Sequence, residues 1–323
     1  MAKYIIKRIL YMFLVLFIVV STTFIMIHSI PGDPLTATVE NLPEATRANY
    51  YARYGLDQPL MVQLFRFWKL FLTEGSLGES LKFPGRLAEE FIVKYAPISF
   101  QLGIWGLVIG VTWGMLLGIN AALHKNKLPD YFGTFVALLG TCIPAFVLAA
   151  LVQYFFTVKH KWFPTAGWGG AIYYVLPVLC MTLSPVATYC RYMKSSVLDV
   201  INQDYILTAE SKGLPRGKII WRHVMRNTLM PIVTMLAPSV AGLLGGSFII
   251  ESMFAIPGLG TYFVKAINSR DYTMVVAMNF LFTATYVFSL LVVDLLYLVI
   301  DPRVRLEVKQ NRRAVASNVP SEN

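Results

Sequence analysis

Six runs of apolar residues decide most of what this chain can become. They cover about Ile9 to Ile30, Phe100 to Leu123, Gly133 to Thr157, Ala171 to Tyr192, Leu229 to Ile250 and Val275 to Ile300. A helix needs about 20 mostly apolar residues to cross a hydrocarbon core, and each run reaches that length. Inside a bilayer the backbone must satisfy its own hydrogen bonds, so spans of this kind are helical. Composition agrees. Of 323 residues, 56% are hydrophobic and 14% charged, whereas a soluble domain carries roughly a quarter charged residues. Disorder, a disulfide scaffold and an ordinary cytosolic enzyme are excluded. The expected fold class is an all-α membrane protein with six transmembrane helices.

The first run follows Lys3, Lys7 and Arg8, as a signal peptide would. Its apolar stretch is longer than the usual 7–15 residues of a signal peptide, and Pro31-Gly32-Asp33-Pro34 follows instead of a small-residue cleavage site. It is therefore read as a retained helix.

Lys and Arg number 28 and Asp and Glu 18, a net charge of +10. The excess is not spread evenly. It sits at the amino terminus, at Lys125 and Lys127, between Arg191 and Arg226, and from Arg303 to Arg313. Six spans put these four regions on one side, and the positive-inside rule makes that side the cytoplasm. Both termini are then cytoplasmic, and the charge needs no nucleic acid to explain it. The cysteines Cys142, Cys180 and Cys190 fall in apolar segments without a CxxC spacing, so they read as small buried hydrophobes.

Two loops exceed what a connector needs. Residues 31–99 lie outside the cytoplasm in this scheme. Helices are expected around Leu42–Tyr54 and Pro59–Thr73, the second with Phe65, Trp68 and Phe71 on a helical spacing, and turns at Gly55–Pro59 and Gly75–Gly78. The loop is either a packed cap or a docking surface for an external partner. The second long loop, about Met193–Thr228, is cytoplasmic. Asp204 to Lys212 is expected to be helical, Gly213-Leu214-Pro215 breaks that helix, and Arg216 to Asn227 begins another, with Ile219, Ile220 and Trp221 as apolar anchors. The result is an elbow projecting from the membrane. On composition alone it could equally be a basic helix lying on anionic lipid.

Catalytic and metal constellations are not found. No GxxxxGK[ST] phosphate cradle and no HExxH spacing occurs, and the histidines His28, His124, His160 and His223 form no set. The acid noted within a span is Asp294, a functional candidate by default, although it lies near the cytoplasmic end at Asp301-Pro302. Gly242, Gly245 and Gly246, with Ala241 and Ser247, form a small-residue stretch in the fifth span. Such a stretch either packs helices closely or lines a pathway that changes its packing. Pro144, Pro177 and Pro185 are expected to bend the third and fourth spans.

The elbow sequence Asp204-Tyr205-Ile206-Leu207-Thr208-Ala209-Glu210-Ser211-Lys212-Gly213-Leu214-Pro215, followed by Arg222 to Pro231, resembles the EAA loop of ABC importer permeases. It is most similar to the form in bacterial dipeptide and oligopeptide permeases. Gly213 is in place, and Leu207-Thr208-Ala209 stands where the general motif has Glu-Ala-Ala. Four other stretches resemble that family in order: Pro31–Pro34, Tyr54–Leu60 with Gly75–Ser80, Glu251–Gly260 with Arg270-Asp271-Tyr272, and Asp301–Arg305. The likeness covers about residues 1–306, and the long loop after the first span suits the "B" subunit.

The resemblance implies a type I importer permease fold. Residues 1–30 would hold the terminus and first helix, 31–99 the extracytoplasmic cap, 100–306 a five-helix core with the coupling loop 193–228, and 307–323 a disordered tail. It also implies no catalytic role and no cofactor in this chain; ATP and Mg would be bound by partner ATPases. Partners would be a second homologous permease, two cytoplasmic ABC ATPases, an extracytoplasmic peptide-binding protein and membrane lipid, in the bacterial cytoplasmic membrane. Thr208, Ala209, Glu210, Gly213, Leu214, Pro215, Arg216 and Lys218 would form the ATPase-coupling loop. Gly242, Gly245, Gly246 and Asp294 are candidate pathway or packing positions. The cargo would be a di- or oligopeptide, with nickel, glutathione or a signalling peptide as alternatives. The competing class, an ion-coupled secondary transporter, would want more buried ionisable residues along the spans or an inverted repeat.

Overall fold

The computed structural model describes residues 2–35, 43–245 and 248–300, and its regular elements are all helices. The first is α1, Ala2–His28. Two helices follow outside it: α2, Glu44–Tyr54, and α3, Leu60–Glu74. The long α4 spans Ala88–Leu123. Next come α5, Leu128–Cys142, and α6, Ala145–Gln153, which continues as a π-helical turn to Lys159. Then α7 covers Ile172–Ile201 and α8 Asp204–Ser211. The short α9, Arg216–Ile219, passes through a π-helical turn at Ile220–Val224 into α10, Met225–Gly245. Last are α11, Phe248–Met253, α12, Leu259–Ser269, and α13, Tyr272–Ile300.

Four stretches are long and apolar enough to cross a membrane: Ile5–His28, Ala88–Leu123, Ile172–Ile201 and Tyr272–Val292. A fifth is added if α5 and α6 count as one span, but they meet at 99°. That corner is the bend expected of Pro144 in the run Gly133–Thr157, sharp enough to break the helix in two. Its cause is Pro144, which lacks an N–H and disfavours helical backbone at the residue before it. Ile143 accordingly takes φ −89° and ψ 115°. Pro177 and Pro185, expected to act alike, sit inside the single helix α7. The expected run from Leu229 to Ile250 is divided between α10 and α11, and its apolar stretch Pro231–Val240 is shorter than a span.

The centre of the molecule is a seam between α4 and α7. Gly106, Gly110, Gly114 and Gly118 recur every four residues and so share one face of α4. A Cβ on Gly106 would meet Met181 Cβ at 2.9 Å, one on Gly110 Pro185 Cβ at 2.6 Å, and one on Gly118 the Cys190 carbonyl oxygen at 2.5 Å. The backbones therefore approach as small-residue helix pairs do in membranes. Gly140 of α5 lies as close to the Leu183 carbonyl of α7. Near one end of the seam Lys194 of α7 pairs with Asp130 of α5. Cys180 and Cys190 are buried as expected, whereas Cys142, at the corner after α5, is exposed.

The first and last long helices pack together through Val20, Phe24 and Val276, and Asn279 Nδ2 donates to Thr23 Oγ1 at 2.7 Å. The two outer helices form where the turn residues predict. Gly55 and Gly75 end them in the left-handed region, at φ 70° and 69°. Trp68 of α3 lies 5.0 Å from Phe17 of α1, ring to ring, and Phe71 lies 4.7 Å from Phe280 of α13. Phe65, grouped with them by spacing, points away and is 71% exposed. Residues 31–99 thus include a packed cap. Gly246, Asp301–Arg305, the tail 307–323 and the side chain of Asp294 lie outside the described residues.

Candidate functional site

The elbow is built by local rules. Asp204 stands in the first turn of α8, where a carboxylate favours the partial positive charge of a helix start. At the other end Gly213 adopts φ 71°. Its N–H donates to the Glu210 carbonyl at 2.8 Å and that of Leu214 to the Ala209 carbonyl at 3.3 Å. These two bonds make a Schellman cap, with Leu214 and Ala209 in the same apolar cluster. Pro215 then prevents α8 from resuming and starts α9, accepting from the N–H groups of Lys218 and Ile219 at 2.9 and 3.2 Å. The chain reverses in four residues and returns to the bundle as α10.

Packing fixes which face of the elbow is free. Ile206, Ala209, Ile219, Val224 and Met225 are buried against Met193 and Val197 of α7. The opposite face carries Leu207 and Trp221, 58% and 77% exposed. Around them Thr208, Glu210, Gly213, Pro215, Arg216 and Lys218 are also exposed. Six of the eight candidate coupling residues therefore share an open surface. Ala209 does not; it is part of the seat, and Leu214 is half-buried beside it. The expected apolar anchors divide as well. Ile219 and Ile220 hold the elbow to the bundle, while Trp221 stands free. A basic surface with an exposed indole is suited to a protein partner, because an unpaired large aromatic is a frequent anchor in interfaces.

Parts of three other signature stretches, Pro31–Pro34, Tyr54–Leu60 with Gly75–Ser80, and Arg270-Asp271-Tyr272, meet away from the elbow. The carboxylate of Asp271 is 1% exposed. It accepts from Ser80 Oγ at 2.5 Å and from the N–H groups of Leu81 and Met274 at 3.1 and 3.2 Å. Lys82 Nζ donates to the Pro34 carbonyl at 2.8 Å, Tyr272 OH to the Gly32 carbonyl at 3.2 Å, and Tyr51 OH to the Asp33 carboxylate. Nearby, Arg53 holds Glu79 at 2.8 Å. Burial, and then the Glu79 carboxylate, push the Tyr54 phenol up to about 12. Residues from three distant stretches thus close one latch between the cap and the start of α13.

Sequence reasoning missed one buried acid. Glu251 of α11 is fully buried, and its Oε2 accepts from the N–H groups of Gly260 and Thr261 at 2.7 and 3.3 Å. It caps the first turn of α12, and Ser99 Oγ of α4 accepts from Leu259 N–H at 2.8 Å. A side chain at Gly258 would fall between the Glu251 carboxylate and the Ser99 hydroxyl. A carboxylate at the end of an apolar run, nine residues before Gly260, was the available signal. Of the candidate pathway glycines, Gly242 lies in α10 with no described atom within 4 Å of where its Cβ would be, and Gly245 is the last described residue of that helix.

Comparison with known proteins bears on the whole chain. Residues 110–306 match the family described as binding-protein-dependent transport system inner membrane component. Residues 1–81 match the N-terminal family of the same membrane components. The dipeptide transport system permease protein DppB of Bacillus subtilis (strain 168) is 40% identical over 309 residues, 96% of this chain and 100% of the relative. The oligopeptide transport system permease protein OppB of Haemophilus influenzae is 36% identical over 308 residues, 94% of this chain and 100% of the relative. The DppB protein of Lactococcus lactis subsp. cremoris is 35% identical over 306 residues, 95% of this chain and 100% of the relative.

Proposed function

The chain belongs to the inner-membrane components of binding-protein-dependent transport systems, and from that premise we propose that it is the permease subunit of an ATP-driven importer of di- or oligopeptides. The named activities of its relatives support a peptide cargo. The chain is a multi-pass protein of the cytoplasmic membrane in this reading, with six crossings and both termini inside. The bent pair α5–α6 and the divided α10–α11 each supply one crossing. It assembles with a second permease, two cytoplasmic ATPases and an external binding protein. ATP and Mg are bound by the ATPases; this chain does no hydrolysis.

The observation that carries the reading is the elbow. Its buried face is complete within the chain, and its free face presents Trp221, Leu207, Arg216 and Lys218 to the cytoplasm. An ATPase gripping that face moves α9. Because α9, the π-helical turn and α10 are continuous, α10 moves with it as a rigid element. Rigid-body displacement of this kind is a common switching mode. Gly213 sets the turn, and Ala209 and Leu214 seat the elbow.

The test is purification of the tagged chain in mild detergent, with mass spectrometry of the proteins that accompany it. Wild type is expected to bring a second permease and the ATPases. Trp221→Glu, a change at an exposed position, is expected to keep the permease and lose the ATPases. A stable oligomer of this chain alone would overturn the importer reading. ATPases retained in full by Trp221→Glu would overturn the assignment of the elbow face.

A further inference from the structure

The cap helix α3 has two working faces and a third that none of the described residues covers. Leu60, Leu64, Phe67 and Trp68 pack against α1 and α13. Arg66 turns the other way, its Nη2 donating to the Arg53 carbonyl at the end of α2 at 3.3 Å. Between these faces run Met61, Phe65 and Leu72, 64%, 71% and 77% exposed. With Trp68 they are spaced four, three and four residues apart, so they form one stripe of the helix. Lys69 and Thr73 lie along its polar border, also exposed. An apolar stripe that includes Trp and is bordered by Lys, on a helix packed against a long apolar helix, has the composition of a helix at a lipid interface.

The position of α3 along α1 says what covers the stripe. Trp68 Nε1 donates to Ser21 Oγ of α1 at 2.9 Å, and its ring meets Phe17. Ser21 lies seven residues before the end of α1 at His28, about 10 Å by the rise of a helix. Phe17 lies nine residues beyond Arg8, the last basic residue at the other end, about 14 Å. A hydrocarbon core is about 30 Å thick, so the Trp68 contact falls inside it whether or not Arg8 reaches toward the headgroups. The same stretch of α1 exposes Phe13, Phe17 and Ile18, so at Trp68 the apolar stripe of α3 adjoins an exposed apolar surface of α1.

We propose that α3 is embedded in the outer leaflet, with Met61, Phe65 and Leu72 against lipid acyl chains and the Lys69 side chain extended toward the headgroups. The cap is then a membrane-anchored element: α3 binds lipid on one side and the first and last long helices on the other, while α2 stays in water. This rests on the membrane location of the chain and not on its cargo.

Spin labels test it in the complex purified with its native partners and placed in lipid nanodiscs. Of the three cysteines only Cys142 is exposed, so Cys142→Ala gives the background. Nitroxides at Phe65→Cys and Leu72→Cys are compared with one at Ala48→Cys on α2, for collision with oxygen, which concentrates in lipid, and with a water-soluble nickel chelate. The expected result is an oxygen-to-nickel ratio several-fold higher at positions 65 and 72 than at 48. Nickel access at 65 and 72 equal to that at 48 would place α3 in water and overturn the proposal. Low access to both reagents would show a protein, such as the second permease, on the stripe, and would overturn it equally.

Discussion

Two helices carry glycines in runs, and they use them in opposite ways. Along α4, Gly106, Gly110, Gly114 and Gly118 are filled: α7 occupies the space a side chain would need, to within 2.5–2.9 Å. On α10, Gly242 is empty, with no atom within 4 Å of a Cβ. Small residues in a membrane helix are thus not one signal. In α4 they are spaced by four and join two helices of the same chain. In α10 the open glycine sits on the helix that continues from the elbow, where a second permease or a moving pathway wall would lie in the proposed assembly. Gly213 is a third case, with open space around it but a backbone φ of 71°. Crowding fixes the first set and conformation the third, while none of the described residues crowds Gly242.

Substitution separates the three. Gly118→Ala places a methyl group against the Cys190 carbonyl and is expected to destabilise the bundle by about 1–3 kcal/mol, the usual cost of overpacking. Thermal aggregation of the detergent-purified protein reads this directly, and an unchanged midpoint would mean the seam is looser than described. Gly213→Ala meets no atom and is expected to cost about 1–2 kcal/mol for the left-handed backbone alone. Its effect should appear as faster proteolysis or hydrogen exchange at residues 204–215, with the bundle midpoint little moved. Gly242→Ala is expected to leave the isolated chain unchanged or to stabilise it by up to about 1 kcal/mol through helix propensity. If the same substitution weakens association with the second permease or slows uptake in the complex, the empty side of α10 is where the partner or the pathway lies. If it does neither, Gly242 is incidental.

What the sequence made legible follows the range of the forces involved. The turns at Gly55 and Gly75 and the break at Gly213-Leu214-Pro215 are decided within a few residues, and they appear where the residue types place them. Burial of the elbow's inner face is decided by α7, far away in sequence. The resemblance therefore placed Ala209 in the coupling loop although α7 buries it, and Trp221, read as an apolar anchor, stands exposed. Pro144 was visible as a bend, but nothing in the residue types gave its size, 99°. Pro185 was visible in the same way, yet it lies inside a continuous helix, with its ring against Gly110 of α4. The regular spacing from Gly106 to Gly118 was present in the sequence, while the denser cluster from Gly242 to Gly246 drew the reading. Glu251 looked like one letter of a motif because its partners are backbone N–H groups, which no side-chain pattern announces.

The latch between Ser80 and Asp271 joins residues 191 apart. In the proposed topology, while a ribosome feeds this chain into a membrane, the cap is delivered to the far side before the start of α13 exists. During that interval the groups destined for Asp271, the Ser80 hydroxyl and the Leu81 and Lys82 N–H groups, have only water to bond. The cap is therefore among the first parts to be translocated and among the last to be finished. A chain cut short after α12 would carry an unfinished cap on its outer surface, open to the proteases and chaperones of that compartment.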